Sequence, residues 1–168
     1  MKYGEALKLV GGLSSPSKMP WWGWSISAAD CKTGGKLREV EDSVCDNCYA
    51  MKGFYNMPGV KKAHKRRLEA LQHPQFVEAM IIVLNTAQKL ARKKEDRFRW
   101  HDSGDLQSMD HFKKIVAIAE GTPTIRHYLP TKEKGIIKRF KGKIPPNLFV
   151  KISPPMIVTG KQIGRAHV

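Results

Sequence analysis

Four short stretches of strand composition, at 21–27, 97–102, 124–129 and 148–153, are separated by segments long enough to hold helices. The first, Trp21-Trp22-Gly23-Trp24-Ser25-Ile26-Ser27, shows the aromatic content and alternation of a half-buried strand. Between the strands, apolar residues recur at helical spacing. Val60, Ala63, Leu68 and Leu71 predict a helix over 58–71. Phe76, Met80, Val83, Leu84, Ala87 and Leu90 predict a longer one over 74–93, and Phe112, Ile115, Val116 and Ala119 a third over 109–120. A short helix over 132–140 completes the set. Pro58 and Pro74 suit first turns, Ser108 suits an N-cap, and Gly121 with Pro123 stops the helix before them. Strand and helix therefore alternate, which predicts parallel strands joined by right-handed crossovers. The expected fold is α/β, with parallel β/α repeats forming a partial, truncated TIM-like barrel or a small open parallel sheet.

Residues 1–20 contain Gly11-Gly12, Ser14-Ser15, Pro16 and Pro20 and read as an irregular lead-in to a single domain over 21–160. Residues 161–168 read as a non-native tail, because Ile163-Gly-Arg-Ala-His-Val168 is what a common sequencing adapter encodes when translated in one frame. On that reading the chain is a truncated reading frame and His167 is not a ligand.

Polar groups gather just after each predicted strand: Cys31 after the first, His101 to Asp105 after the second, Thr131-Lys132 after the third and Ser153 after the fourth. The carboxyl edge of a parallel sheet is where α/β proteins build their sites. A ligand site is expected there.

All three cysteines lie in one stretch, Cys31 to Cys48, ending in Cys45-Asp-Asn-Cys48-Tyr-Ala. Two intervening residues let Cys45 and Cys48 turn toward one metal or cluster, and thiolates are the ligands that zinc and iron–sulfur clusters favour. Thirteen residues separate Cys31 from Cys45, across the flexible Thr33-Gly34-Gly35-Lys36. Structural zinc takes four protein ligands, whereas three thiolates on a four-iron cluster leave one iron open. The metal candidates are Cys31, Cys45 and Cys48, holding a 4Fe-4S cluster or, with His64 or His101 as fourth ligand, zinc. Buried thiols without metal, or a Cys45–Cys48 redox pair, are the plainer alternatives. An odd cysteine count, with no secretory signal at Met1-Lys2-Tyr3, predicts reduced thiols and a cytoplasmic setting.

Lys and Arg number 30 against 15 acidic residues, a net charge of +15 that attracts polyanions and makes nucleic acid a candidate partner. The clusters Lys61-Lys62 and Lys65-Arg66-Arg67 fall on one predicted helix and read as a solvated face, with His64 at the surface among them. Arg92-Lys93-Lys94 forms a third cluster. Three Trp within 21–24 are either a stacking surface for bases or a cover for the core or cluster. Apolar runs such as Met80-Ile-Ile-Val-Leu84 are too short to span a bilayer, so no membrane association is expected.

His101-Asp102-Ser103-Gly104-Asp105 is the second constellation. Gly104 permits a tight turn or close approach to a ligand. Asp102 and Asp105 are candidates to bind an ammonium group, ribose hydroxyls or a metal, and His101 to act as base or ligand. The plainer alternative is a strand-to-helix turn whose Asp and Ser side chains bond local amides. Lys132 and Lys151, near strand ends, are candidates to hold an anion.

Ser17-Lys18-Met19-Pro20, the loop to Cys31, Cys45-x-x-Cys48-Tyr-Ala, Arg99-Trp-His-Asp-Ser-Gly-Asp105 and Tyr128-Leu-Pro-Thr-Lys132 together resemble the phage gene-product-88-like proteins, over roughly residues 15–155. The resemblance implies a phage or prophage origin, action in the host cytoplasm, and a further cysteine-containing carboxyl-terminal region absent here. The layout is also similar to that of radical S-adenosylmethionine enzymes. This likeness implies that Cys31, Cys45 and Cys48 ligate a 4Fe-4S cluster and that Ser103-Gly104-Asp105 stands where a Gly/acidic motif holds the cofactor's methionine amino group. The usual cysteine spacing of three then two residues becomes thirteen then two, and Asn47 replaces the aromatic before the last cysteine, although Tyr49 follows it. The expected cofactor-binding set is His101, Asp102, Ser103, Gly104, Asp105, Thr131 and Lys132. No residue is assigned to catalysis. The competing expectation is a basic zinc-binding module that holds nucleic acid without catalysis.

Overall fold

The structure, a computed structural model, describes residues 1–16, 21–91 and 96–157. Ser17-Lys18-Met19-Pro20, the Arg92-Lys93-Lys94 cluster and the proposed tail lie outside the described residues. The elements run α1 (Tyr3–Leu9), β1 (Gly23–Trp24), α2 (Thr33–Leu37), α3 (Pro58–Ala70), α4 (Phe76–Leu90), β2 (Arg97–Trp100), α5 (Met109–Gly121), β3 (Arg126–Thr131), α6 (Lys134–Arg139) and β4 (Leu148–Ile152).

The four strands form one all-parallel open sheet in the order β1-β2-β3-β4. Sequential order without a reversal means that each crossover steps the same way, and a fixed hand then puts the helices on one face. Their contacts agree. Asn85 of α4 donates to the Gly121 carbonyl of α5, and Phe112 of α5 meets Phe140 beside α6 edge-on at 5.0 Å. This is the arrangement of consecutive β/α units, as expected of a partial parallel β/α array.

The core lies between sheet and helices. Trp24, Phe98, Trp100, Leu129 and Leu148 point into it from the strands, against Phe76, Met80, Val83 and Leu84 of α4 and Phe112, Ile115 and Ile118 of α5. Period-two alternation sends the intervening residues Arg97, Arg99, Arg126, Tyr128, Phe149 and Lys151 to the opposite face. Leu90, expected on the inner face, is 70% exposed because it is the last residue of α4, at the limit of the packed stretch.

Several expectations need correction. The lead-in is not irregular: residues 3–9 are helical, Glu5 accepts the Lys2 amide, and Gly11 and Gly12, with φ of 75° and 81°, turn the chain out of the helix. Ser14 then pairs with Gly23, so this segment adds an antiparallel bridge to the sheet edge. β1 is only two residues long, and β3 includes Pro130 and Thr131, which sequence pattern assigns to a turn, because β4 runs alongside and pairs them with Lys151 and Ile152.

His64 is also corrected. It is buried, stacked on Tyr55 with ring centroids 6.3 Å apart, and Arg67 one turn on is buried too. The helix α3 is rotated so that His64, Arg67 and Ala70 face inward, while Lys61, Lys62, Lys65 and Arg66 stay exposed. Arg67 reaches the Gly12 and Ser25 carbonyls, which satisfies its guanidinium inside the fold. Burial and the Arg67 charge hold His64 below the ordinary imidazole range. Among the described residues no helix is long and apolar enough to cross a membrane.

Candidate functional site

Beyond β1, Ser27 accepts the Ala29 amide and starts a single helical turn that delivers Cys31 to the carboxyl edge of the sheet. Helix α2 and a turn anchored by Ser43 bring Cys45 and Cys48 back to it. The Ser43 hydroxyl accepts the Asp46 amide at 3.0 Å and the Cys45 amide at 3.3 Å. Hydrogen bonds join this loop to the other strand ends: Thr33 N–H to Glu133 at 2.8 Å, Gln107 to the Asp30 carbonyl at 3.1 Å, and Val44 N–H to the Pro155 carbonyl at 2.9 Å.

The result is a cavity of about 280 Å³ at the carboxyl edge. Every residue of the expected metal and cofactor sets lines it: Cys31, Cys45 and Cys48 from the first loop, His101 to Asp105 from the second, Thr131 and Lys132 from the third, with Ser153 added from the fourth. His64 is not part of its lining.

All three thiols are free. A Cβ added at Gly34 would sit 3.4 Å from Cys45 Sγ and 3.7 Å from Cys31 Sγ, so both sulfurs look onto a space that the missing side chain leaves open. Burial, then the nearby Asp105 and Cys48, push the Cys31 thiol up to about 12, with Arg38 acting the other way. Burial raises Cys45 as well, and Lys132 opposes it. Among the described residues no three His, Cys, Asp or Glu side chains converge tightly enough for a single metal ion. Three thiols line the same cavity, and thiolates are the donors that iron–sulfur clusters and zinc both favour. The donor chemistry fits a thiolate-bound metal group, with Cys31 and Cys45 beside Gly34.

The two carboxylates are already committed. Asp105 accepts the Thr131 hydroxyl at 2.6 Å, the Leu106 amide at 2.7 Å and the Lys132 amide at 2.8 Å, tying the end of β2 to the end of β3. Burial raises its pKa against the pull of those three bonds. Asp102 accepts the Ser25 hydroxyl on one oxygen and the Tyr55 hydroxyl, at 3.1 Å, on the other, while Tyr49 donates to its carbonyl. Both acids therefore brace loops, Asp102 through the distant Ser25 and Tyr55 hydroxyls and Asp105 through Thr131 and two backbone amides. Gly104 has φ of 80° and comes so close to Ile26 that a Cβ would lie 2.8 Å from the Ile26 carbonyl oxygen, so packing on the end of β1 accounts for it.

His101 and Ser103 differ. Both are 3% exposed, and neither ring nitrogen of His101 nor the Ser103 hydroxyl has a protein partner. His101 also takes a left-handed backbone, φ 56°, which orients it against Trp24 and His111. Burial and the neighbouring His111 and Arg99 hold the ring neutral, well below the ordinary histidine range. The structural partners Ser25, Tyr49, Tyr55 and Arg67 carried no sequence signal, because each acts across long chain separations. Gly34 was legible only as part of a glycine-rich loop.

Fold and site define a parallel β/α protein with a three-thiol pocket at the carboxyl edge of its sheet. The family model of Gene product 88 matches residues 3–156, and the chain belongs to that family. Neither the curated proteins nor the solved structures contain a match.

Proposed function

We propose that the protein is an iron–sulfur protein of the radical S-adenosylmethionine type, with Cys31, Cys45 and Cys48 holding a 4Fe-4S cluster whose fourth iron stays open to the cofactor. The observation that carries this reading is three free thiols lining one cavity, two of them beside Gly34, together with two buried, unpartnered polar side chains on the loop after β2 that lines the same cavity. A bound cluster would supply one electron to the cofactor's sulfonium, and the cofactor carries the difficult chemistry.

The chain's own groups divide the remaining work. Lys132 and Arg38, the cations nearest the sulfurs, offset the negative charge of three thiolates. Ser103 and neutral His101 offer acceptors for an ammonium group or donors for a carboxylate. Asp105 is a positioning residue, because its oxygens already hold the backbone that carries Lys132. This shifts the amino-group contact of the Gly/acidic motif onto Ser103. The apolar wall of Trp24 and Trp100 behind His101 keeps water away from that side.

Equilibrium dialysis of S-adenosylmethionine against anaerobically prepared protein tests the reading. Binding is expected near one per chain, absent in Cys31→Ala and weakened about tenfold in Ser103→Ala, the loss of a single hydrogen bond. No binding to cluster-loaded protein would overturn it.

A further inference from the structure

On the face of the sheet turned away from the helices, Arg97, Arg126, Tyr128, Phe149 and Lys151 are exposed. Tyr128 of β3 and Phe149 of β4 are directly paired in register and are 38% and 54% exposed. An exposed aromatic pair side by side on a sheet face marks an interaction surface. Its neighbours are cations. Arg97 lies over the Trp21 ring at 5.0 Å, Arg99 over Tyr128 at 5.9 Å, and Lys151 follows Phe149 on the same face of β4. Arg126 extends the row, sharing Asp96 with Arg97 at the amino edge. Along the strands 97–99, 126–130 and 149–151 this face carries no acid.

We propose that this face binds single-stranded nucleic acid. Rings on adjacent strands lie about 5 Å apart, close enough for successive bases to stack on Tyr128 and Phe149. The interleaved Arg and Lys side chains match the phosphates between them. A protein partner would need acids to pair with this row, and the chain's net charge of +15 favours a polyanion throughout. A duplex hides its base faces, so stacking selects a single strand. Arg99 also lines the cysteine cavity, so the two sites adjoin, but Tyr128 and Phe149 do not line it and the proposal stands whatever the cysteines bind.

Fluorescence anisotropy with a short labelled thymidine oligonucleotide, at low salt, tests it. Phe149→Ala and Tyr128→Ala are each expected to weaken binding about tenfold, the loss of one stacked base. Phe149→Trp should keep the affinity and report stacking through quenching of its own fluorescence, which guards against misfolding of the alanine variant. Lys151→Glu should weaken binding and flatten the slope of log affinity against log salt by roughly 0.7 for each phosphate no longer neutralised. The proposal is overturned if the oligonucleotide does not bind, or if duplex binds as tightly as the single strand. It is overturned equally if the aromatic variants bind like the parent while Lys61→Glu with Lys65→Glu, on the exposed side of α3, abolishes binding.

Discussion

Two buried histidines, one on β3 and one just past the end of the neighbouring β2, are treated in opposite ways. His127 of β3 is wholly buried, and both its nitrogens are used: Trp100 donates to Nδ1 at 3.2 Å, and Nε2 then carries the proton toward the Thr122 hydroxyl at 2.8 Å. Thr122 passes its own proton to the Ile118 carbonyl at 2.7 Å. His101, one residue past the end of β2, is 3% exposed with both nitrogens unmatched by protein. Burying a polar group without a hydrogen bond costs free energy, and folded proteins seldom leave one so. The difference lies in how each ring is satisfied: His127 is matched within the fold, whereas His101, a residue that lines the edge cavity, is not.

Acid should expose the shared cost of these rings first, and most strongly. Burial lowers His127 to about 4 and His111 to about 3, and it lowers His101 too. Their folded pKa values lie below the unfolded value, so the unfolded chain binds more protons and stability falls as pH drops below about 6.5. The loss is up to about 1.4 kcal/mol per pH unit for each ring, continuing until the folded form titrates. Urea unfolding between neutral pH and about pH 4 should show it, and a flat profile would mean that the rings are solvated.

Substitution should then separate the two. His127→Phe leaves the Trp100 N–H buried without an acceptor and is expected to cost about 1–3 kcal/mol by urea unfolding. His101→Phe has no bond to lose and should change stability by less than about 1 kcal/mol. Equal costs would dissolve the distinction. The smallest stability effect is expected for Gly34→Ala, whose Cβ meets Cys31 Cβ at 3.2 Å and Cys45 Sγ at 3.4 Å in a loop able to give by a few tenths of an ångström. Its metal content should nevertheless fall, since the added methyl occupies the space that the sulfurs share.

Much of the edge could be read from the sequence, and the reasons are physical. Strand and helix periods are local, so the parallel order and the placing of Cys31 and His101 after successive strands followed from spacing alone, whereas Thr131 proved to be the last residue of β3. Residue type misled where a side chain served the interior. His64 and Arg67 look like surface residues in a basic run, yet helical geometry turns them inward, and only the distant Tyr55, Gly12 and Ser25 make that tolerable. Asp102 and Asp105 do line the cavity, but nothing nearby in the chain reveals Tyr55 or Thr131 as their partners. The two glycines of the lead-in could not show which side of a helix end they stood on until α1 was seen before them.

Anaerobic purification followed by iron, sulfide and zinc analysis tests most directly the proposal that the three thiols hold an iron–sulfur cluster. About four iron and four sulfide per chain are expected, as a 4Fe-4S cluster contains, lost together in Cys31→Ala, Cys45→Ala or Cys48→Ala. Zinc at about one per chain without sulfide, the stoichiometry of a structural zinc site, would contradict it.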